Sequence, residues 1–181
     1  MVLRQVRIHG RGGQGAVTSA ELLAIAAFRD GKYSQSFPFF GVARRGAPVM
    51  AFTRIDDKFI RLREQVTKPD YVMVLDPTLI DVIDVAEGTT EDSIIIVNTS
   101  KKPQDLKIRT KAKIVTVDIT KIALDIIGAP FVNTPMLGAF AKATKEVTLE
   151  SILKAIEEEM PEKIAKKNMD ATKKVYEATS S

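Results

Sequence analysis

Four glycines fall within six residues near the start of the chain, in the run Gly10-Arg11-Gly12-Gly13-Gln14-Gly15, here called the glycine turn. Glycine has no Cβ and tolerates positive φ, so successive backbone N–H groups can point toward one ligand. The pattern around the run predicts a strand before it and a helix after it, which adds unpaired first-turn amides and a positive dipole end. We therefore predict that the turn binds phosphate or pyrophosphate, with Arg11 and Gln14 as further donors. The alternative is that the glycines only allow strand and helix to pack closely.

Gly10, Gly12 and Gly15 also match the G-x-G-x-x-G pattern of dinucleotide sites. A nicotinamide site needs an acidic residue about 20 positions further on, at the end of the second strand. The second strand is predicted at residues 32–36, and no carboxylate follows it directly. This argues against NAD as the ligand.

Residues 36–48 have neither helical nor strand periodicity and contain two prolines and two glycines. They are predicted to form a long functional loop. Three phenylalanines in this segment either fold back onto the protein's own core or contact a partner chain. Arg44 and Arg45 form a like-charged pair that needs anionic partners, so we predict that they bind phosphates or a partner's carboxylates.

Polar residues follow three predicted parallel strands at residues 71–75, 94–97 and 114–117. They are Asp76, Asn98 and Asp118. In an open parallel sheet, ligands bind at this carboxyl edge. Asn133 precedes a helix start in which Thr134 is the predicted N-cap and Pro135 the first helical residue. Asn133 either faces the same edge or satisfies its own loop backbone.

The remaining pattern completes the predicted fold. Residues 49–55 and 59–62 are predicted to form a hairpin, which makes the sheet mixed, and helices are predicted at 78–86, 118–127, 149–160 and 162–178. We expect one domain over residues 1–181, a three-layer α/β/α Rossmann-like or flavodoxin-like fold with a mixed, mainly parallel sheet.

Composition excludes several functions. The 181 residues contain no cysteine, which excludes thiolate catalysis and cysteine-ligated iron–sulfur clusters in this chain. His9 is the one histidine, and we expect a strand-end residue with satisfied hydrogen bonds rather than a catalytic base. The net charge is +4, and the lysines of the last helix are interpreted as a solvated face, so no nucleic acid is expected. Apolar stretches are too short for a membrane span and no signal peptide is recognisable, so a cytoplasmic location is expected.

Taken in order, these motifs make the chain similar to one family. It resembles the gamma subunit of 2-oxoacid:ferredoxin oxidoreductases, most closely the pyruvate (pyruvate synthase) branch, over nearly its whole length. The motifs that carry the resemblance are the glycine turn, Asp30-Gly31-Lys32-Tyr33, Ser36-Phe37-Pro38, Arg44-Arg45-Gly46-Ala47-Pro48, Pro69-Asp70, Leu75-Asp76-Pro77-Thr78-Leu79, Asn98-Thr99, and Asn133-Thr134-Pro135-Met136-Leu137-Gly138-Ala139-Phe140. One departure is Ala43, where related chains often have Glu before the arginine pair.

The resemblance implies a subunit, inactive alone, of an enzyme that decarboxylates a 2-oxo acid oxidatively, reduces ferredoxin and transfers the acyl group to coenzyme A. It implies alpha, beta and delta partner subunits, with thiamine diphosphate and iron–sulfur clusters held only in partners. Coenzyme A contacts are expected at Arg11, Gly12, Gly13, Gln14, Gly15, Arg44, Arg45 and Asn133. No catalytic residue and no metal ligand are expected in this chain.

Two alternatives stay open. The chain is an assembly subunit that binds no ligand, or it serves the related indolepyruvate or 2-oxoisovalerate ferredoxin oxidoreductases.

Overall fold

The computed structural model describes residues 3–39 and 45–180. Within them the chain forms six strands and five α-helices. The strands are β1 (Arg4–Arg11), β2 (Tyr33–Phe39), β3 (Pro48–Asp56), β4 (Tyr71–Val74), β5 (Ile94–Asn98) and β6 (Lys113–Val117). The helices are α1 (Ala16–Arg29), α2 (Ile119–Ile126), α3 (Met136–Thr144), α4 (Leu149–Glu159) and α5 (Glu162–Ala178).

The described strands form one sheet in the order β2-β3-β1-β4-β5-β6. β1, β4, β5 and β6 pair in parallel, while β3 lies antiparallel to both β1 and β2. Of the six strands only β3 therefore runs the opposite way, and the predicted α/β fold with a mixed, mainly parallel sheet is confirmed. The carboxyl ends of five strands meet at one edge, which is where the glycine turn leaves β1.

The predicted hairpin is wrong. β3 covers the first half of it, but residues 59–62 form no strand. Both edges of β3 are occupied, with Arg4 to Arg11 paired on one side and Tyr33 to Phe39 on the other, so no third strand can pair with it. Residues 59–62 instead lead into a segment that covers one face of the sheet, where the Leu62 carbonyl accepts a hydrogen bond from Arg54.

The predicted loop at 36–48 is also shorter than expected, because β2 continues to Phe39 and β3 begins at Pro48. β2 is an edge strand, where a proline costs no ladder hydrogen bond if its nitrogen faces outward. Phe37 and Phe39 both contact Phe52, with ring centroids 5.2 and 6.4 Å apart. For these two phenylalanines the alternative of folding onto the protein's own sheet is the one that holds. Phe40 lies outside the described residues.

The two faces of the sheet are covered differently. The five helices pack on one face, around a core that includes Ile8, Leu23, Met73, Phe140 and Ile156. The other face carries a smaller apolar cluster under a 3-10 helix at Pro77–Asp81 and irregular segments. The helix predicted at 78–86 is thus reduced to one short 3-10 turn. Asp84 accepts a hydrogen bond from the Ala86 amide two residues on, and such a local turn competes with helix continuation.

Most other helix predictions are confirmed. Asp118 caps α2 by accepting from the Lys121 amide at 3.0 Å, and Pro161 separates α4 from α5. The start of α3 differs by one position, since Pro135 and not Thr134 is its N-cap residue. Among the described helices, none combines the length and the apolar character needed to cross a bilayer.

Candidate functional site

The glycine turn lies at the carboxyl edge of the sheet, between β1 and α1. Gly13 and Gly15 have φ of 94° and 78°, so both adopt the left-handed conformation that favours glycine. The turn is fastened to the segment before β3, because the Gly12 amide donates to the Ala47 carbonyl at 2.8 Å and the Gly46 amide donates to the Gly12 carbonyl at 3.1 Å. Gly12 therefore has no free backbone donor for a ligand.

Other amides of the turn remain available. No described residue accepts a hydrogen bond from the Gly13 amide. Gly15 is the N-cap residue of α1 and supplies no side-chain cap, and the first turn of α1 contains no acidic residue. The first-turn amides and the positive end of the helix dipole are thus unneutralised by any side chain of α1, which is the arrangement that binds an anion.

A cavity of about 590 Å³ opens beside these amides. Asn133 lies directly over the turn, since a Cβ built on Gly15 would be 2.6 Å from its Nδ2 atom. Its backbone carbonyl accepts from Ser19 Oγ at 2.9 Å, which ties the segment before α3 to α1. Of the two alternatives for Asn133, the structure places it at the sheet edge. The lining residues are Gly13, Gln14, Gly15, Leu75, Asp76, Pro77, Asn98, Thr120, Pro130, Phe131, Val132 and Asn133.

A second, more apolar cavity of about 360 Å³ lies on the other side of the turn, toward β2 and β3. Gly13 and Gly15 line both cavities, so the turn forms the wall between them. The second cavity is lined by Arg11, Gly12, Gly13, Gly15, Ala16, Val17, Pro38, Phe39, Val49 and Met50.

The side chains of Arg11 and Gln14 are held by the protein itself. Arg11 forms an ion pair with Asp76 at 3.2 Å and donates to Thr78 Oγ1 at 2.7 Å. Gln14 accepts from the Arg11 amide through Oε1 at 2.7 Å and donates to Asp76 Oδ2 through Nε2 at 2.8 Å. Both side chains therefore shape the turn. None of these contacts tests whether they also donate to a ligand, which stays a prediction.

Asp76 and Thr78 are the partners of the turn that sequence reasoning missed. The sequence places Asp76 at a strand end but does not indicate that it contacts the turn. Burial opposes its ionisation, but hydrogen bonds from Thr78 and Gln14 and the charge of Arg11 outweigh burial and lower its pKa. The signal that would have found the pairing is topological, because parallel neighbours β1 and β4 end at the same edge.

Asn98, by contrast, is fully used in joining elements. Its Nδ2 donates to the Leu75 carbonyl at 2.9 Å, and its Oδ1 accepts from the Ile119 and Thr120 amides at 3.0 and 3.1 Å. It lines the cavity but its hydrogen-bonding groups hold β4, β5 and α2 together.

The arginine pair is described only in part. Arg44 lies outside the described residues. Arg45 is exposed, next to the Gly46 that bonds to Gly12, and no described residue pairs with its guanidinium. A cation with no partner among the described residues thus directly precedes Gly46, which is hydrogen-bonded to the glycine turn.

His9 lies in β1 and is 2% exposed. Burial, reinforced by the charge of Arg7, lowers its pKa to about 3. Its Nε2 accepts from Arg7 Nε at 3.1 Å, so the imidazole is neutral, and it lines neither cavity. The expectation that its hydrogen bonds are satisfied is wrong for the buried Nδ1, which has no partner among the described residues. In residues 3–39 and 45–180 no three side chains of metal-ligating type come together in one cluster.

The fold and the turn define a class: a Rossmann-like α/β domain with glycine amides and a helix N-terminus at the carboxyl edge of its sheet, the edge at which ligands bind in open parallel sheets. A model of the pyruvate ferredoxin/flavodoxin oxidoreductase family matches residues 5–178. The chain is 62% identical over 154 residues to the pyruvate synthase subunit PorC of Methanosarcina barkeri, covering 85% of each chain. It is 53% identical over 178 residues to the pyruvate/ketoisovalerate oxidoreductases common subunit gamma of Thermococcus litoralis, covering 97% of this chain and 96% of that one.

A solved structure gives the same answer. The crystal structure of the pyruvate oxidoreductase subunit PORC of Thermotoga maritima superposes with a TM-score of 0.88 at 41% identity, covering 99% of this chain and 98% of that one. The chain therefore belongs to the pyruvate ferredoxin/flavodoxin oxidoreductase family, in which it is a gamma subunit.

Proposed function

We propose that this chain binds coenzyme A for the acyl-transfer step of a heteromeric 2-oxoacid:ferredoxin oxidoreductase, which converts a 2-oxo acid to acyl-coenzyme A and CO₂ and reduces ferredoxin. The observation that carries the proposal is the Gly13 amide, which has no acceptor among the described residues, beside the N-terminus of α1, which has no side-chain cap, at the wall of a cavity of about 590 Å³. Backbone donors at a helix N-terminus suit the pyrophosphate of coenzyme A. The exposed Arg45 suits a phosphate as a charge-assisted donor.

Each remaining part of the reaction is assigned to partner chains. The 181 residues have no cysteine to ligate an iron–sulfur cluster. We propose alpha, beta and delta subunits as the holders of thiamine diphosphate and the clusters, with ferredoxin reduced by the whole complex in the cytoplasm. The purified chain alone is then expected to show no 2-oxo acid:ferredoxin activity, and turnover by a preparation free of partners would contradict this.

The substrate is proposed to be pyruvate, since the relatives named above are a pyruvate synthase subunit and a subunit common to pyruvate and ketoisovalerate oxidoreductases. The second name is compatible with a gamma subunit that serves more than one 2-oxo acid. Coenzyme A is common to these reactions. A subunit that binds coenzyme A therefore has a role that does not include selecting the 2-oxo acid.

One observation favours the alternative of a subunit that assembles the complex and binds no ligand. Gly12, Arg11 and Gln14 are all satisfied by contacts within the chain. A turn built only for packing would look the same at these three residues. It would not, however, require an exposed arginine beside it or an uncapped helix.

The test is kinetic and uses the assembled enzyme with Arg44→Ala or Arg45→Ala. A guanidinium–phosphate contact contributes about 1.5–3 kcal/mol, so loss of either is expected to raise the KM for coenzyme A roughly ten-fold to a hundred-fold. Decarboxylation of the 2-oxo acid without coenzyme A should change little. If the contact is to the ribose phosphate, the difference in KM between the wild type and the variant should be smaller with dephospho-coenzyme A than with coenzyme A.

Arg29→Ala is a matched control. Arg29 ends α1, about 20 Å from the glycine turn, and pairs with Glu158. Its loss should leave the KM for coenzyme A unchanged. Dissociation of the Arg45→Ala complex on gel filtration, or an intact complex with unchanged coenzyme A kinetics, would overturn the binding role and leave the assembly alternative.

A further inference from the structure

We propose that Asp76 is the positioning residue of the glycine turn, fixing the direction of the turn's side chains so that its free amides face the ligand. This inference rests on the proposed coenzyme A role of the same turn. Asp76 directly follows the buried end of β4 and is the N-cap residue of the 3-10 helix at Pro77–Asp81. Asp76 therefore connects the end of β4 to the start of the 3-10 helix.

The carboxylate of Asp76 accepts three hydrogen bonds and forms one ion pair. Oδ1 accepts from the Thr78 amide at 3.0 Å and from Thr78 Oγ1 at 2.6 Å. Oδ2 accepts from Gln14 Nε2 at 2.8 Å and faces Arg11 Nε at 3.2 Å. One oxygen thus fastens the 3-10 helix and the other fastens the glycine turn.

Gln14 passes this constraint to the backbone of the turn. Its Nε2 points to Asp76, so its Oε1 points back to the Arg11 amide, from which it accepts at 2.7 Å. The amide of Gln14 itself donates to the Arg11 carbonyl at 2.9 Å, which closes the turn around Gly12 and Gly13. Reversing the side-chain amide would place NH₂ against a backbone N–H.

Only a group with two acceptor oxygens satisfies this arrangement. An asparagine at position 76 would turn its NH₂ either toward Thr78 or toward Gln14 and Arg11, and each of these sites already presents a donor. Gln14 cannot compensate by flipping, because its own oxygen is needed by Arg11. The charge and the geometry of Asp76 are therefore both used.

Arg11 gains a defined role from the same network. Its guanidinium is balanced by Asp76 and also donates to Thr78 Oγ1 and to the Gly46 carbonyl at 3.1 Å. Arg11 therefore joins the turn to the segment that contains Arg45. The positive charge offered to a ligand then comes from the free backbone amides and from Arg45.

The test compares Asp76→Asn with Asp30→Asn in the assembled enzyme. Asp30 is also a carboxylate with several hydrogen bonds, from Thr148 and Ser151, but it lies at the far end of α1. We expect Asp76→Asn to raise the KM for coenzyme A about ten-fold, as the loss of one charged hydrogen bond does, with kcat and the KM for the 2-oxo acid unchanged. Hydrogen exchange should speed up in peptides covering residues 10–16. Asp30→Asn should change neither readout.

Thr78→Val is the milder second variant, should Asp76→Asn fail to assemble. It removes the hydroxyl shared by Arg11 and Asp76 but keeps the carboxylate, and it should raise the same KM about two- to three-fold. An unchanged KM in both variants, while Arg45→Ala still raises it, would overturn the role of Asp76 and leave the coenzyme A role intact. An unchanged KM in all three would overturn both.

Discussion

The two ends of α1 carry the same residue types but differ in their hydrogen bonding. Each end has a positive-φ glycine, Gly13 or Gly31, and an aspartate that accepts several hydrogen bonds. At the far end Asp30 accepts from the amide and hydroxyl of Thr148 and from Ser151, tying α1 to the start of α4. At the near end Asp76 ties the glycine turn to the 3-10 helix, and within residues 3–39 and 45–180 the Gly13 amide has no acceptor.

The far end of α1 is its C-terminus, which presents carbonyl acceptors, whereas the near end presents amide donors. The donors close to the far end have an acceptor within the chain, because the buried carboxylate of Glu146 accepts from Tyr71 at 2.8 Å and Arg4 at 3.1 Å and pairs with Lys32 at 3.4 Å. At the near end the turn faces the cavity of about 590 Å³ instead of a buried carboxylate such as Glu146. The comparison teaches that an open set of donors, and not the glycines alone, distinguishes a ligand site from a structural turn.

The largest expected effect is at the closed end. Glu146→Ala removes the shared acceptor of three donors and leaves the buried Tyr71 hydroxyl without its partner. Unfolding free energy should fall by about 3 kcal/mol, as when one member of a buried ionic network is deleted. Urea unfolding of the chain measures this. If Glu146→Ala also raises the KM for coenzyme A in the assembled enzyme, the two ends of α1 do not differ in function as stated.

The loss of stability at acidic pH should come from His9 and from neither end of α1. Burial and Arg7 lower the pKa of His9 to about 3, whereas an unfolded histidine has its ordinary value of 6.5. Between these values the unfolded chain binds a proton that the folded chain does not, so stability falls as pH falls from 6.5. By pH 5 the loss should be about 2 kcal/mol.

His9→Gln keeps an acceptor for Arg7 but does not titrate, so its unfolding free energy should depend less on pH between 7 and 5. The pKa values of Asp30 and Asp76 are both lowered, because their hydrogen bonds outweigh burial, so neither carboxylate contributes to the slope in this pH range. Equal slopes in the variant and the wild type would place the acid effect at the helix ends after all.

The smallest expected effect is also the most direct comparison. Gly13 and Gly31 have φ of 94° and 77°, and, flanking residues apart, a Cβ on either meets no atom of the described part of the chain within 4 Å. Alanine at each position should therefore cost only backbone strain, about 1–2 kcal/mol. Thermal unfolding should show similar losses, while only Gly13→Ala should raise the KM for coenzyme A, by a few-fold. A raised KM for Gly31→Ala as well would mean that the effect is one of folding.

Local patterns predicted the turn and most helices, because glycine spacing, capping residues and Pro161 act on their own neighbourhood. The sheet edge was also predictable, since Asp76, Asn98 and Asp118 each follow a buried strand. The position of β3 between β1 and β2 was not, because strand pairing joins residues far apart and periodicity carries no information about partners. For the same reason the contacts of Arg11 and Gln14 with Asp76, more than 60 residues away, escaped prediction.

Two buried arginines lie on the face of the sheet that carries no described α-helix, and they have a consequence for how the surface can change over time. Arg54 donates to the carbonyls of Leu62 and Glu64, and Arg7 donates to those of Val85 and Glu87. Every amino acid brings a backbone carbonyl, so this anchoring survives replacement of the side chains in the segments it holds. The irregular surface over this face is thus free to drift in sequence while the arginines beneath it cannot.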